Sequence, residues 1–440
     1  MIPRYCRREL ADLWSEESRL RLWLEVELAV CDAFADHGQM PREVAARLRT
    51  ILVVRPERVA EIEAVTRHDV AAFVQSLEEI CGPEDGRYLH LGLTSSDVLD
   101  TALALQLRDA GRLLVEDLHL LGDAIRKRAV EHCWTPVIGR SHGIHAEPTT
   151  LGHVLAGWFD EVRRCIRRLE AAIEAVSVGT ISGSVGNFIH VDPEIEAAVC
   201  HRLGLKPELA ATQVVPRDRH AEFFCALALV ASSLERFAVT VRHWQRTELL
   251  EAEEYFHPGQ KGSSSMPHKR NPVLSENVTG LCRLVRGYAM PALENVALWH
   301  ERDISHSSVE RVSAPDATSL LDFALRRFAG VVDRLVFYPE NMGRNLAQTR
   351  GLVFSQRILM ALLRGGMGRE QAYRIVQAIS MRAWSTGAAL EDEALADASL
   401  AEHLSVSQIR ECFDLRHAFR NIGVVFERVF GQPAPSLELP

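Results

Sequence analysis

Between Pro258 and Asn277 the chain runs PGQKGSSSMPHKRNPVLSEN. Three consecutive serines, Ser263, Ser264 and Ser265, stand among Lys261, His268, Lys269 and Arg270. Glycine loosens this backbone and each proline fixes φ and removes a donor, so a helix cannot continue through it. Pro272 suits the first turn of a new helix, and Ser275 to Asn277 lead into an apolar-periodic segment. A glycine-hinged loop that carries hydroxyls and cations into a helix N-terminus fits an anionic small molecule. The same composition also occurs in ordinary surface loops.

Four further polar clusters have chemistry to offer. Thr66-Arg67-His68-Asp69 interrupts an otherwise apolar helical region, where capping or exposure would account for it. His90 precedes Thr94, Ser95 and Asp97; helix capping explains the hydroxyls but not the imidazole. Gly139 to His145 lies just before a helix, with His142 and His145 at i, i+3. Only Glu147 could complete a ligand set there and HExxH is absent, so no metal is expected. His300 to Arg311, HERDISHSSVER, has the charge of an exposed helix turn, yet Ser307, Ser308 and Arg311 could hold a phosphate or carboxylate. No GxGxxG, GxxxxGK[ST] or GxSxG string is present, so dinucleotide, P-loop and serine-hydrolase readings have no support. Hydroxyl, imidazole and cationic groups at helix ends suit proton transfer on an anionic substrate without a cofactor. They do not name a reaction.

Long helices must position these groups. Leu151, Leu155, Trp158, Val162, Cys165, Leu169 and Ile173 are spaced 4-3-4-3-4-4, and Phe223, Leu227, Val230, Leu234, Phe237, Val241 and Trp244 are spaced 4-3-4-3-4-3 without a break. Leu103, Leu107, Leu114, Leu118, Leu121 and Ile125 form a third stripe. Near-heptad seams of this kind predict helices of roughly 25 to 30 residues packed as a bundle. Ala226, Ala228 and Ala231 widen the apolar face of one of them, which predicts burial on more than one side and favours an oligomeric bundle. Helices are also predicted over 14–38, 41–50 and 56–81, and from Asp97 onward; Pro291 predicts a kink and Pro315 a helix start. Strand-like alternation is hard to find. The expected fold is all-α, with an N-terminal helical domain over 1–110, the long-helix bundle with its loop over 111–364, and a C-terminal helical domain over 365–440.

The 440 residues are 47% hydrophobic and 25% charged, with a formal net charge of -9, which accommodates a large core. The basic residues are scattered and outnumbered, so neither nucleic acid nor membrane is an expected partner. No apolar leader and no run long enough to span a bilayer is expected. The nine cysteines include no CxxC pair, and free thiols in a reducing cytoplasm are the expectation.

KGSSSMPHKRNP from Lys261 resembles the Gly-Ser-Ser-x-Met-Pro-x-Lys-x-Asn-Pro signature of the fumarase/aspartase superfamily. Arg4-Tyr5, TRHDV from Thr66, LGLTSSDV from Leu91, GRSHGIHAEPTT from Gly139, QVVPRDRH from Gln213 and LWHERDISHSSVER from Leu298 resemble, in the same order, the motifs of the adenylosuccinate lyase family. Two departures are mild: Ser141 stands where the family usually has Thr, and Ser265 stands at the variable signature position.

The resemblance implies a cofactor-free, metal-free β-elimination of fumarate. The substrates would be adenylosuccinate, giving AMP, and succinyl-aminoimidazole-carboxamide ribotide, giving AICAR. It implies Ser263 as base and His142 as acid, with Glu276 orienting His142. Lys269, Asn271 and loop N–H groups would stabilise the aci-carboxylate. Ser264 and Arg270 would bind substrate, and His68 and His90 would lie in the pocket, His68 beside the charged groups. Arg4, Tyr5, Arg67, Asp69, Thr94, Ser95, Gln213, Arg302, Ser307 and Arg311 would hold the nucleotide and succinyl portions. The family implies a cytoplasmic homotetramer whose sites draw on three subunits. Two other readings compete: a superfamily lyase that releases fumarate from another succinyl or aspartyl compound, and a helical assembly protein that kept only the scaffold. The nucleotide-serving motifs oppose the first, and the intact serine, histidine and lysine positions oppose the second.

Overall fold

In the computed structural model, which describes residues 2–436, helices carry nearly all of the regular structure. The longest are Ser95–Glu131, Leu151–Val176, Arg217–Trp244 and Ser305–Arg334. The three predicted seams lie on the first three of these, and their leucine, phenylalanine and tryptophan positions are buried except Leu103. Among the described residues the architecture is all-α apart from three two-stranded sheets.

The chain forms two compact units. The first comprises Met1–Leu120, Val162–Arg236 and Asn277–Arg327; the second comprises Leu121–Glu161, Phe237–Glu276 and Phe328–Pro440. In the first, Glu16–Asp36 begins at Ser15, whose hydroxyl accepts from the Ser18 N–H at 3.1 Å. Its apolar face packs Trp23 edge-on to Phe73 at 5.5 Å, in a core shared with Leu77, Val98, Ile181 and Val199. In the second, Trp158 stacks on Phe237 at 4.7 Å and on Trp244 at 5.5 Å, so the apolar seams meet around one indole.

Three expectations need correction. The region 56–81 is two helices, Pro56–Thr66 and Asp69–Gly86. They part at Arg67, which takes the left-handed conformation with φ 59°; the second kinks at Gly82, φ 78°, ahead of Pro83. Thr66 to Asp69 is therefore a helix junction. Pro315 does not start a helix. It lies inside Ser305–Arg334, so Ser307 and Arg311 share that helix. The segment before Leu151 is a β-hairpin, with Pro136–Ser141 antiparallel to Ile144–Thr150. Arg217–Trp244 passes for a membrane-crossing helix by length and composition alone, a test that the core helix of a folded protein also passes. Half of its most apolar window is buried inside the protein, as a helix packed on several sides requires.

Candidate active site

The second unit carries the hairpin and the signature loop. The hairpin turn is Ser141-His142-Gly143-Ile144, with φ 56° at His142 and 78° at Gly143. Positive φ at both central residues is what a two-residue type I′ turn demands, which is why glycine follows the histidine. The hairpin is clamped from behind. Arg140 donates from both terminal nitrogens to Glu251, at 2.7 and 2.9 Å, and the wholly buried Glu251 also accepts from Asn345 at 3.0 Å. At its other end Thr150 caps Leu151–Val176, its hydroxyl accepting from the His153 N–H at 3.1 Å. His142 is thus held out, exposed, on a rigid turn.

The signature loop is braced in the same way. Asn271 donates to the Gly262 carbonyl at 3.0 Å. A Cβ at Gly262 would lie 2.0 Å from the Lys269 carbonyl oxygen, so only glycine permits this close approach. The Ser263 hydroxyl oxygen accepts from the N–H groups of Ser265 and Met266, at 3.3 and 3.1 Å. Arg270 pairs with Glu253 at 2.7 Å, and the buried Glu254 accepts from the N–H groups of Leu274 and Ser275, at 3.1 and 2.7 Å. That carboxylate satisfies free N–H groups at the start of Val273–Gly287, the helix that carries Glu276. A cavity of about 1270 Å³ brings Lys269, Arg270, Asn271 and Glu276 together with Arg242, His243 and Arg246, which were not foreseen. Among the described residues no hydrogen bond joins His142 to Ser263 or to Glu276 within the chain.

The first unit gathers the remaining positions. One cavity, about 470 Å³, is lined by His68, His90 and Ser95. His68 caps Asp69–Gly86, its Nδ1 accepting from the Ala71 N–H at 3.2 Å. Glu27, fully buried on Glu16–Asp36, accepts from both the backbone N–H and Nδ1 of His90, each at 2.8 Å. Burial works against charge on His90, but the Glu27 hydrogen bond and charge outweigh it, so its pKa is raised. The carboxylate of Asp97 accepts from the N–H groups of Thr94, Ser182 and Gly183, tying the Thr94-Ser95 turn to a second loop. Burial pushes the Asp97 carboxyl up to about 6 despite these donors.

A second cavity, about 260 Å³, is lined by Arg302, Ser307 and Arg311 together with Arg19 and Ser96. Arg302 donates to the Gln213 side chain at 3.3 Å, and Arg311 pairs with Asp69. Beneath lies a buried ionic network. Arg217 donates to Asp100 at 2.5 and 2.8 Å and to Glu310 at 3.0 and 3.2 Å, and its terminal nitrogen lies 3.0 Å from His306 Nδ1. Asp100, Arg217 and Glu310 belong to the LGLTSSDV, QVVPRDRH and HERDISHSSVER segments or their immediate continuation. The network therefore locks three motif-bearing helices together. Arg4 and Tyr5 line neither cavity; the Tyr5 hydroxyl accepts from Asn277 at 3.3 Å. Arg67 is exposed at the helix junction, and Ser264 is exposed on the loop.

Glu27, Asp100, Arg217, Glu251 and Glu254 escaped sequence reasoning. Each is a charged residue within a helical or loop stretch, and only burial marks it. Among the described residues no group of three or more His, Cys, Asp or Glu side chains is placed to hold a metal ion.

A family model described as a lyase matches residues 6–287, and one described as the adenylosuccinate lyase C-terminus matches 351–429. The crystal structure of a fumarate lyase from Mesorhizobium sp. BNC1 superposes with a TM-score of 0.88 at 27% identity, covering 98% of this chain and 99% of that one. The 3-carboxy-cis,cis-muconate lactonizing enzyme from Pseudomonas putida superposes with a TM-score of 0.86 at 28% identity, covering 97% of each. Helical scaffold and signature loop together define a lyase of the fumarase/aspartase superfamily. Adenylosuccinate lyases of Synechocystis sp. and Bacillus subtilis are 52% and 47% identical to it, each over 98% of this chain and over 100% and 99% of their own lengths. The chain belongs to the adenylosuccinate lyase family.

Proposed function

We propose that the protein eliminates fumarate from adenylosuccinate, leaving AMP, and from succinyl-aminoimidazole-carboxamide ribotide, leaving AICAR, in cytoplasmic purine biosynthesis. End-to-end identity of 52% to an adenylosuccinate lyase carries this reading.

In the proposed mechanism Ser263 takes the proton from the carbon next to a succinyl carboxylate. A serine hydroxyl is a weak base at neutral pH and must first lose its own proton. Two backbone N–H groups already point at its oxygen, and they favour the alkoxide over the neutral hydroxyl. Lys269 and Asn271, on the same loop, offset the charge that builds on the aci-carboxylate. His142 then protonates the leaving nitrogen as the C–N bond breaks. Glu276 holds the imidazole in the tautomer and orientation this requires. Arg302, Ser307 and Arg311 supply a cationic, hydroxyl-bearing pocket for the substrate's anionic groups. Gln213 and Asp69 orient two of these arginines. His68, His90 and Ser95 line the neighbouring cavity. Arg4, Tyr5, Arg67, Thr94, Ser264 and Arg270 complete the substrate contacts.

Within one chain His142 and Glu276 have no side-chain partner among the described residues. Leu229, Leu284, Val312 and Trp299 are 52%, 54%, 56% and 77% exposed, on or beside the long helices. Both features support a homotetramer in which separate subunits contribute the base, the acid and the nucleotide contacts. The test is ultraviolet detection of fumarate release from adenylosuccinate by the purified, metal-stripped protein. Turnover without added metal or cofactor is expected; silence from a well-folded tetramer overturns the substrate assignment.

A further inference from the structure

The second unit holds a further cavity, about 680 Å³, that the elimination does not use. It lies among the C-terminal helices. Arg357 and Arg364 reach it from the Ser355–Arg364 helix. His417 and Arg420 reach it from Leu415–Phe419 and its C-cap, and His403 from the turn before Ser405. None of the three arginines forms an ion pair with a carboxylate among the described residues. Arg357 donates to the Asp414 carbonyl at 2.8 Å and Arg420 to the His417 carbonyl at 2.9 Å, while the Asp414 carboxylate is engaged by Arg416. Glu147 and Glu411 line the cavity without pairing with any of them. The positive charge is felt locally. Burial lowers the His417 pKa, and the charges of Arg357, Arg420 and Arg364 lower it further.

Unpaired guanidinium groups converging on one cavity are poised for a ligand that brings the missing negative charge. Their planar forks match phosphate oxygens two at a time. The volume falls within the range of small-molecule sites, about 300 to 1,000 Å³. Phe354 and Met360 add an apolar wall, and Gln356, Gln408 and Asn421 add neutral hydrogen-bonding groups. We propose that this C-terminal cavity is a second binding site, distinct from the elimination site, for a phosphate-bearing small molecule.

The probe is inorganic pyrophosphate, titrated calorimetrically into the full-length protein. Arg364 and Arg420 are exposed, so Arg364→Ala with Arg420→Ala leaves the core intact, which a melting curve checks. Pyrophosphate should bind the parent and bind this double variant at least about tenfold more weakly, since two charge-assisted contacts are removed. It should bind Lys269→Ala, altered in the signature loop, as it binds the parent. Equal affinity in parent and double variant overturns the proposal. So does no binding to the parent, or binding lost only in Lys269→Ala, which would place the anion in the signature-loop cavity instead.

Discussion

Replacing Arg217 with methionine removes the guanidinium that pairs with two buried carboxylates. The Arg217 side chain is 1% exposed, that of Asp100 4% and that of Glu310 8%. Burial works to raise the Glu310 pKa, but the charge of Arg217 and the His306 hydrogen bond outweigh it and hold the carboxyl at about 2, against an ordinary 4.5. A depression of that size favours the folded state by ~3 kcal/mol at neutral pH. Because the pKa is depressed, this stability is present above pH 4.5 and is lost as pH falls toward 2. Leaving a buried charge without its partner costs about 3–5 kcal/mol. Arg217→Met should therefore lose about that much at pH 7, read from urea unfolding at fixed protein concentration. The deficit should shrink on acidification, as Glu310 becomes able to take up a proton. Adding Asp100→Asn and Glu310→Gln should recover part of the loss, because no buried charge is then left alone. A loss below about 1 kcal/mol, or one independent of pH, would refute the view that this triad is an energetically coupled lock. Fumarate release should fall in parallel, since Arg302, Ser307 and Arg311 stand on or beside the helix that carries Glu310.

Other substitutions probe separate parts of the molecule. Ser263→Ala should keep the fold and lose turnover by about 10² or more, in line with removal of a proton-transfer group; normal fumarate release would remove Ser263 as the base. Mixed and re-equilibrated with His142→Gln, that inactive variant should regain some activity, whereas tetramers that stay dead would exclude sites shared between subunits. Gly186 has φ +76° and a Cβ there would lie 2.0 Å from the Ala211 carbonyl oxygen, so Gly186→Ala should cost about 1–3 kcal/mol. It should also raise KM through the neighbouring Gln213, and an unchanged melting temperature would show that the two loops can part freely. The raised pKa of His90 contributes stability that is complete below the ordinary histidine value and is lost as pH rises through the folded one. Glu27→Gln should abolish that dependence and move the His90 ring titration down, measured by NMR; an unmoved titration would mean Glu27 does not hold the charge.

Much of the scaffold was legible because burial follows spacing. The residues at alternating three- and four-residue intervals from Phe223 to Trp244 could be placed on one buried stripe without knowing what covers them. The signature loop was legible for a related reason: Gly262, Pro267 and Pro272 act on their own backbone, and Ser263, Lys269 and Asn271 are drawn together by short-range bonds such as Asn271 to Gly262. Even so, the helix junction at Arg67 was missed. Its left-handed residue is neither Gly nor Asn, so nothing local announced it. The hairpin behind His142 was missed because Pro136–Ser141 and Ile144–Thr150 show little apolar alternation.

What tertiary structure alone decided is the pairing of charges. Glu27 with His90, Arg140 with Glu251 and Asp100 with Arg217 join residues far apart in the chain. Each acid has the same side chain as dozens of solvated ones, and its helical period does not separate it from them. Local order follows from φ/ψ preference and apolar period, which a chain carries within a few residues of itself. A buried charge is explained only by the partner that meets it across the fold, and that partner exists only once the helices have packed.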